Sequence, residues 1–94
     1  MEQQFDIELV NQNEYRVSAE AEGQNVESLI RSDPGFLADI GLGSFEEQAV
    51  IEETSRFLAE HQSVIDFPPV IDLEDIAAAY DDYADQLRAR LEAR

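Results

Sequence analysis

Few residues in this sequence have the types and spacing that chemistry needs. His61 is the only histidine, which excludes a two-histidine metal site and a nucleophile served by a second histidine. Asp66 follows five positions later, so chain folding back after a helix would let the pair act as a base. No activated serine or further paired acid accompanies them, and the pattern fits a helix-end histidine that complements the dipole and the last carbonyls. Glu46-Glu47 and Glu52-Glu53 offer oxygens to a divalent cation. Calcium loops, however, place acids at alternating positions around a glycine and end on a bidentate glutamate, a spacing no segment has. Gly41-Leu42-Gly43-Ser44 precedes a helix start as a phosphate loop does, but it lacks the lysine or a third glycine. The Glu46 and Glu47 that follow would repel phosphate.

Asp81-Asp82-Tyr83-Ala84-Asp85 resembles the aspartate-rich motif with which isoprenoid synthases hold magnesium and diphosphate. On a helix, residues i and i+4 share a face, and hard cations take carboxylate oxygens. That chemistry also needs a second acid cluster and a large apolar cavity, which a chain of 94 residues does not enclose beside a core. The motif is therefore expected to be a solvated acidic face. With no cysteine, thiol catalysis, zinc–thiolate sites, iron–sulfur clusters and disulfides are excluded. The expectation is a protein that is not an enzyme and uses no metal or cofactor.

What remains is charge. Six Lys+Arg, all of them arginine, stand against 22 Asp+Glu, for a formal net charge of -16 and a pI near 4.1. Such a chain is repelled by nucleic-acid backbones and anionic membranes, so neither is an expected direct partner. Six acids lie between Asp72 and Asp85 with no base among them, and Arg88, Arg90 and Arg94 follow. Solubility calls for a net charge of only about 2 to 8 on a small domain. The excess destabilises the fold by self-repulsion, so a basic protein partner that relieves it is expected. The start, Met1-Glu2-Gln3-Gln4, lacks a basic region and an apolar run, and no segment approaches a membrane span. A cytoplasmic location is expected.

These residues must be positioned by a small fold. At 94 residues and 44% hydrophobic content, the chain builds a single domain, 1–94, with a core. Phe5, Ile7 and Leu9, then Tyr15, Val17, Ala19 and Ala21, alternate with polar residues around Asn11-Gln12-Asn13-Glu14, which predicts a hairpin over 5–22. Gly23 breaks the second strand, and Asn25 caps a short helix carrying Val26, Leu29 and Ile30. Ser32-Asp33-Pro34 starts a second short helix with Phe36, Leu37 and Ile40 on one side, stopped by Gly41 and Gly43.

Ser44-Phe45-Glu46-Glu47 has the form of a capping box opening a helix over about 45–61. Val50, Ile51, Thr54, Phe57, Leu58 and His61 fall on its apolar stripe; Glu46, Glu52, Glu53, Arg56 and Glu60 fall opposite. Arg56 then has carboxylates on both sides, Glu52 and Glu53 before it and Glu60 after. Residues 62–71 are an extended connector around Pro68 and Pro69. Asp72 caps the last and longest helix, 73–92, whose seam is Leu73, Ile76, Tyr80, Tyr83, Leu87 and Leu91.

The fold class is α+β: an N-terminal antiparallel hairpin packed on three to four helices. The function expected is a small non-catalytic binding protein that docks a carboxylate surface on a basic protein, in the manner of inhibitors, antitoxins and nucleic-acid mimics. Glu46, Glu53 and Glu60 on one helix, with Asp81, Asp82 and Asp85 on the other, are its expected contacts. The alternative is an accessory or scaffolding module that binds through the Tyr80–Leu91 seam or the hairpin edge, as a homodimer or within a larger complex.

Overall fold

Two tight turns fold the first third of the chain into three antiparallel strands: β1 (Asp6–Asn11), β2 (Glu14–Ala21) and β3 (Gln24–Arg31). The computed structural model describes residues 4–94. The expectation drawn from Met1, Glu2 and Gln3 lies outside them. Asn13 turns the first hairpin at φ 62, a left-handed conformation asparagine tolerates. The second turn is Glu22 at φ 53 and Gly23 at φ 78, the two positive angles of a primed hairpin turn.

The helix expected at 25–30 is therefore a strand. Val26, Leu29 and Ile30 fit a helical spacing, but so short a helix is marginal in water. As a strand the same segment alternates, with Val26, Ser28 and Ile30 opposite Ala19, Val17 and Tyr15 of β2. This pairing supplies every backbone partner that a two-residue turn puts within reach.

A fourth strand, β4 (Val70–Asp72), joins the sheet parallel to β3, in the order β1-β2-β3-β4. Two bonds anchor the approach to it: Leu29 N–H to the Pro69 carbonyl at 2.8 Å and Ser28 Oγ to the Pro68 carbonyl at 2.9 Å. The connector is extended only in part, because Val64–Asp66 form a 3-10 turn closed by the Phe67 N–H on the Val64 carbonyl. Each proline constrains the residue just before it, Phe67 and Pro68 here, and leaves 64–66 free to turn.

Four helices complete the α+β domain: α1 (Pro34–Asp39), α2 (Glu47–His61), α3 (Leu73–Ala79) and α4 (Tyr83–Glu92). In α1 the Asp33 carboxylate accepts from the N–H groups of Gly35 and Phe36, with Pro34 in the first turn, as expected. The capping box does not form. The first helical residue of α2 is Glu47, its N-cap Glu46 makes no side-chain bond, and the Glu47 carboxylate turns instead to Tyr15 Oη and Asn13 Nδ2, each at 2.9 Å. Two tertiary bonds there replace one local bond.

The longest helix is α2, with 15 residues, and not the C-terminal one. The helix expected over 73–92 breaks at Tyr80, whose φ of -128 and ψ of 108 are extended, and resumes at Tyr83. Aspartate is a poor helix former, and Asp81 and Asp82 add adjacent like charges at the break. Aromatic packing fixes it: Tyr80 sits edge-on to Phe57 at 5.4 Å and tilted on His61 at 4.6 Å. Tyr83 is fully buried, 5.4 Å from Phe57, and shares a 2.8 Å hydrogen bond with Thr54. The seam keeps its sides across the break, since Leu73, Ile76, Tyr83, Leu87 and Leu91 are all buried.

One core joins the inner sheet face (Tyr15, Val17, Ala19, Ile30) to Leu37, Leu42 and the buried stripe of α2. The radius of gyration is 12.4 Å, close to the value of about 12 Å for a compact chain of this length. No helix among the described residues is long and apolar enough to cross a membrane.

Candidate partner-binding surface

The arginines decide which carboxylates are available. On the outer sheet face Arg16 pairs across the strands with Glu8, and Arg31 Nε lies 3.1 Å from Glu14. Arg56 reaches Glu52 at 3.0 Å and Glu53 at 2.9 Å along α2. Arg94 approaches the same two acids at 3.5 and 3.0 Å, tying the end of the chain to α2. Arg90 reaches Glu60 at 2.7 Å and lies 5.7 Å from the centre of the Phe57 ring. The Arg90 hydrogen bond holds the Glu60 carboxyl below the usual carboxylate range, and Glu60 in turn raises the guanidinium. Arg88 turns elsewhere, donating to the Gly41 carbonyl at 3.3 Å.

The three acids expected to form a row on α2 thus have three different settings. Glu46 is exposed at the helix start with no ion pair among the described residues. Glu53 is only 6% exposed and lies between Arg56 and Arg94, so it is not on an outer face. Its position on the boundary of the stripe, beside Thr54, turns it inward. Glu60 is exposed, but its partner is Arg90 and not Arg56.

Asp81 and Asp82 lie in the turn between α3 and α4, and Asp85 in the first turn of α4; all three are exposed. The interruption of the helix removes the shared face that a magnesium motif would use, because Asp81 and Asp85 belong to no common helix. Glu74 and Asp75 on α3 are exposed as well, and Asp72 at its start is half-buried. Among the described residues, none of these six acids has an ion pair. No cluster of three or more His, Asp or Glu side chains among the described residues is arranged to hold a metal ion.

An apolar groove of about 210 Å³ opens beside this base-free stretch. Leu58, Ile71 and Ile76 line it and are themselves buried, Tyr80 forms part of its wall, and Asp72 and Asp75 stand at it. No arginine lines it. The groove collects residues from α2, β4 and α3 that are distant in sequence, and no local motif marks it.

Compared with protein-family profiles, curated proteins and solved structures, the chain matches none. Its own geometry must carry any statement of function.

The remaining polar groups have structural settings. His61 is exposed and packs at a tilt against Phe57 and Tyr80, each at 4.6 Å, with no hydrogen bond or ion pair to Asp66 among the described residues. Leu42 of the glycine-flanked segment is fully buried in the core. Burial pushes the Tyr83 hydroxyl up to about 12, against the opposing effect of its bond with Thr54. Burial likewise raises Tyr15 to about 12, helped by the Glu47 carboxylate that accepts its hydrogen bond.

Proposed function

We propose that this protein is a small cytoplasmic, non-catalytic binding protein that docks a carboxylate-rich surface on a basic protein partner. The observation that supports this most is the distribution of arginine: five of the six face the chain's own carboxylates, while the stretch from Asp72 to Asp85 has none. Those acids repel one another within the free protein, and a cationic partner would relieve that repulsion. Asp81, Asp82 and Asp85, with Glu74 and Asp75, form the contact surface, and Glu46 is the acid of α2 that remains available. Association would be charge-steered, and the complex would occlude the basic groove of its partner, as inhibitors, antitoxins and nucleic-acid mimics do.

Capture of partners from the native host, followed by mass spectrometry, tests this. The wild-type protein should retain a basic protein that Asp81→Asn/Asp82→Asn/Asp85→Asn releases and that moderate salt elutes. Partners held equally by the triple variant and unaffected by salt would refute it.

A second function is favoured by one specific feature: Leu9 and Val10 are 60% and 37% exposed on the edge strand β1, where the register slips. An accessory module or homodimer would bury them. Of the seam in that alternative, Tyr83, Leu87 and Leu91 are buried in the core and Tyr80 is half-buried, so the hairpin edge offers more exposed apolar surface.

A further inference from the structure

The groove between β4 and α3 differs from the rest of the acidic surface in having an apolar interior. Val70 is 44% exposed and Ala79 is exposed, so a small apolar patch meets water there in the free protein. The Tyr80 ring in the groove wall packs against both Phe57 and His61 in a three-ring cluster. β4 is the last strand of the sheet and only three residues long, so the groove offers a side-chain site more than a backbone edge. Its charged lining residues are Asp72 and Asp75, with no base. An acidic segment would meet repulsion there, and so would a second copy of this chain at net charge -16.

We infer that this groove receives one large apolar side chain from an arginine- or lysine-rich segment of the protein partner, with Asp72 and Asp75 facing the flanking cations. This rests on the proposed acidic docking function and adds to it the feature that sets specificity. Charge alone steers many basic proteins, whereas an apolar anchor seated in a desolvated site selects among them.

Three synthetic peptides separate the groove from the charge: Arg-Arg-Phe-Arg-Arg, Arg-Arg-Ser-Arg-Arg and Glu-Glu-Phe-Glu-Glu, titrated into the ¹⁵N-labelled full chain. The phenylalanine–arginine peptide should shift the amides of Leu58, Val70, Ile76 and Tyr80 saturably. It should bind about tenfold or more tighter than the serine peptide, and the glutamate peptide should leave these amides unmoved. Ala79→Phe adds bulk at an exposed position of the groove and should reduce the phenylalanine peptide to the affinity of the serine peptide. Asp75→Asn should weaken the phenylalanine peptide and make its binding less sensitive to salt.

If both arginine peptides bind equally, shift Asp81, Asp82 and Asp85, and ignore Ala79→Phe, the groove proposal fails while acidic docking stands. If neither arginine peptide binds anywhere, both fail. Binding of the glutamate peptide in the groove, or self-association of the free protein that Ala79→Phe abolishes, would assign the groove a different occupant and overturn the proposal.

Discussion

On α2, Glu52, Glu53 and Glu60 each have a guanidinium within 3.0 Å, whereas Asp72, Glu74, Asp75, Asp81, Asp82 and Asp85 around α3 have none among the described residues. The first set joins elements, since Arg90 and Arg94 come from the chain's end and bind α4 to α2. The second set makes no ion pair among the described residues, although Arg31 lines a cavity with Asp72, Glu74 and Asp75 while pairing with Glu14. Acid that braces a fold offsets part of its own repulsion, and acid that braces nothing only adds to it. The α3 corner is thus where stability is given up without a structural return, and there a partner gains most from supplying cations.

The largest expected effect tests the depth of this contrast. Leu87 of α4 is fully buried, and Leu87→Ala should cost about 2 to 4 kcal/mol in denaturant unfolding. Asp82→Ala, in the exposed turn only five residues away, should stay within about 0.5 kcal/mol or stabilise. Equal damage from the two would mean that the turn is as structural as the helix it precedes.

Next comes the alkaline limb. The Tyr83 hydroxyl ionises near 12 in the folded state against 10 for an ordinary tyrosine, because burial disfavours the phenolate. The raised value means that its stabilisation is complete below pH 10 and is lost as pH climbs from 10 through 12. The loss should be on the order of 2 kcal/mol at the top of that window. Tyr15, also raised to about 12, adds its own loss over the same window. Tyr83→Phe should therefore remove only part of the alkaline slope while lowering stability at neutral pH by about 1 kcal/mol, through the bond lost to Thr54. An unchanged alkaline slope in this variant would show that another group governs it.

How much of this was legible in the sequence differs between the same two regions. The periodicity of 73–92 identifies five of the six seam residues as buried, all but the half-buried Tyr80 at the break, because burial follows local spacing on either side of it. The break itself depends on Phe57 and His61, which lie about twenty positions earlier and hold the Tyr80 ring. The strand β3 was hidden by an ambiguity: Val26, Leu29 and Ile30 satisfy helix and strand periods at once. Glu22-Gly23 resolves it only if a non-glycine residue is allowed a positive φ. A stripe drawn at fixed angles puts Glu53 outside, because it cannot register that Arg94 folds back to meet it. The acids 81, 82 and 85 were legible as exposed charge, while the groove beside them is assembled from three elements.

Glu53 gives the intermediate test. Removing a buried carboxylate from between two cations is costly, but Arg56 and Arg94 keep 37% and 40% of their side chains in water, which lowers the cost. Glu53→Ala should lose about 1 to 2 kcal/mol. Asp75→Asn on α3 should change stability by less than about 0.5 kcal/mol. If Asp75→Asn proved the more damaging, the division into bracing and non-bracing acid would have to be reversed.

The smallest effect bears on that division most directly, because salt acts on both kinds of acid with opposite sign. Screening weakens the exposed Arg–Glu pairs, each worth only about 0 to 1 kcal/mol, and relieves the repulsion that a net charge of -16 produces everywhere else. With few pairs and many uncompensated carboxylates, moderate sodium chloride should raise the thermal midpoint, by a few degrees for a domain of this size. Asp81→Asn/Asp82→Asn/Asp85→Asn removes repulsion in advance, so it should raise the midpoint at low salt and shrink the salt increment. Glu52→Gln/Glu60→Gln removes paired acid, so it should lower the midpoint at low salt and leave most of the increment in place. Both double and triple variants keep the core, and circular dichroism should be unchanged for each. A midpoint that falls on adding salt would mean that the arginine pairs outweigh the repulsion, and the α3 corner would then lose its claim to be the costly part of the surface.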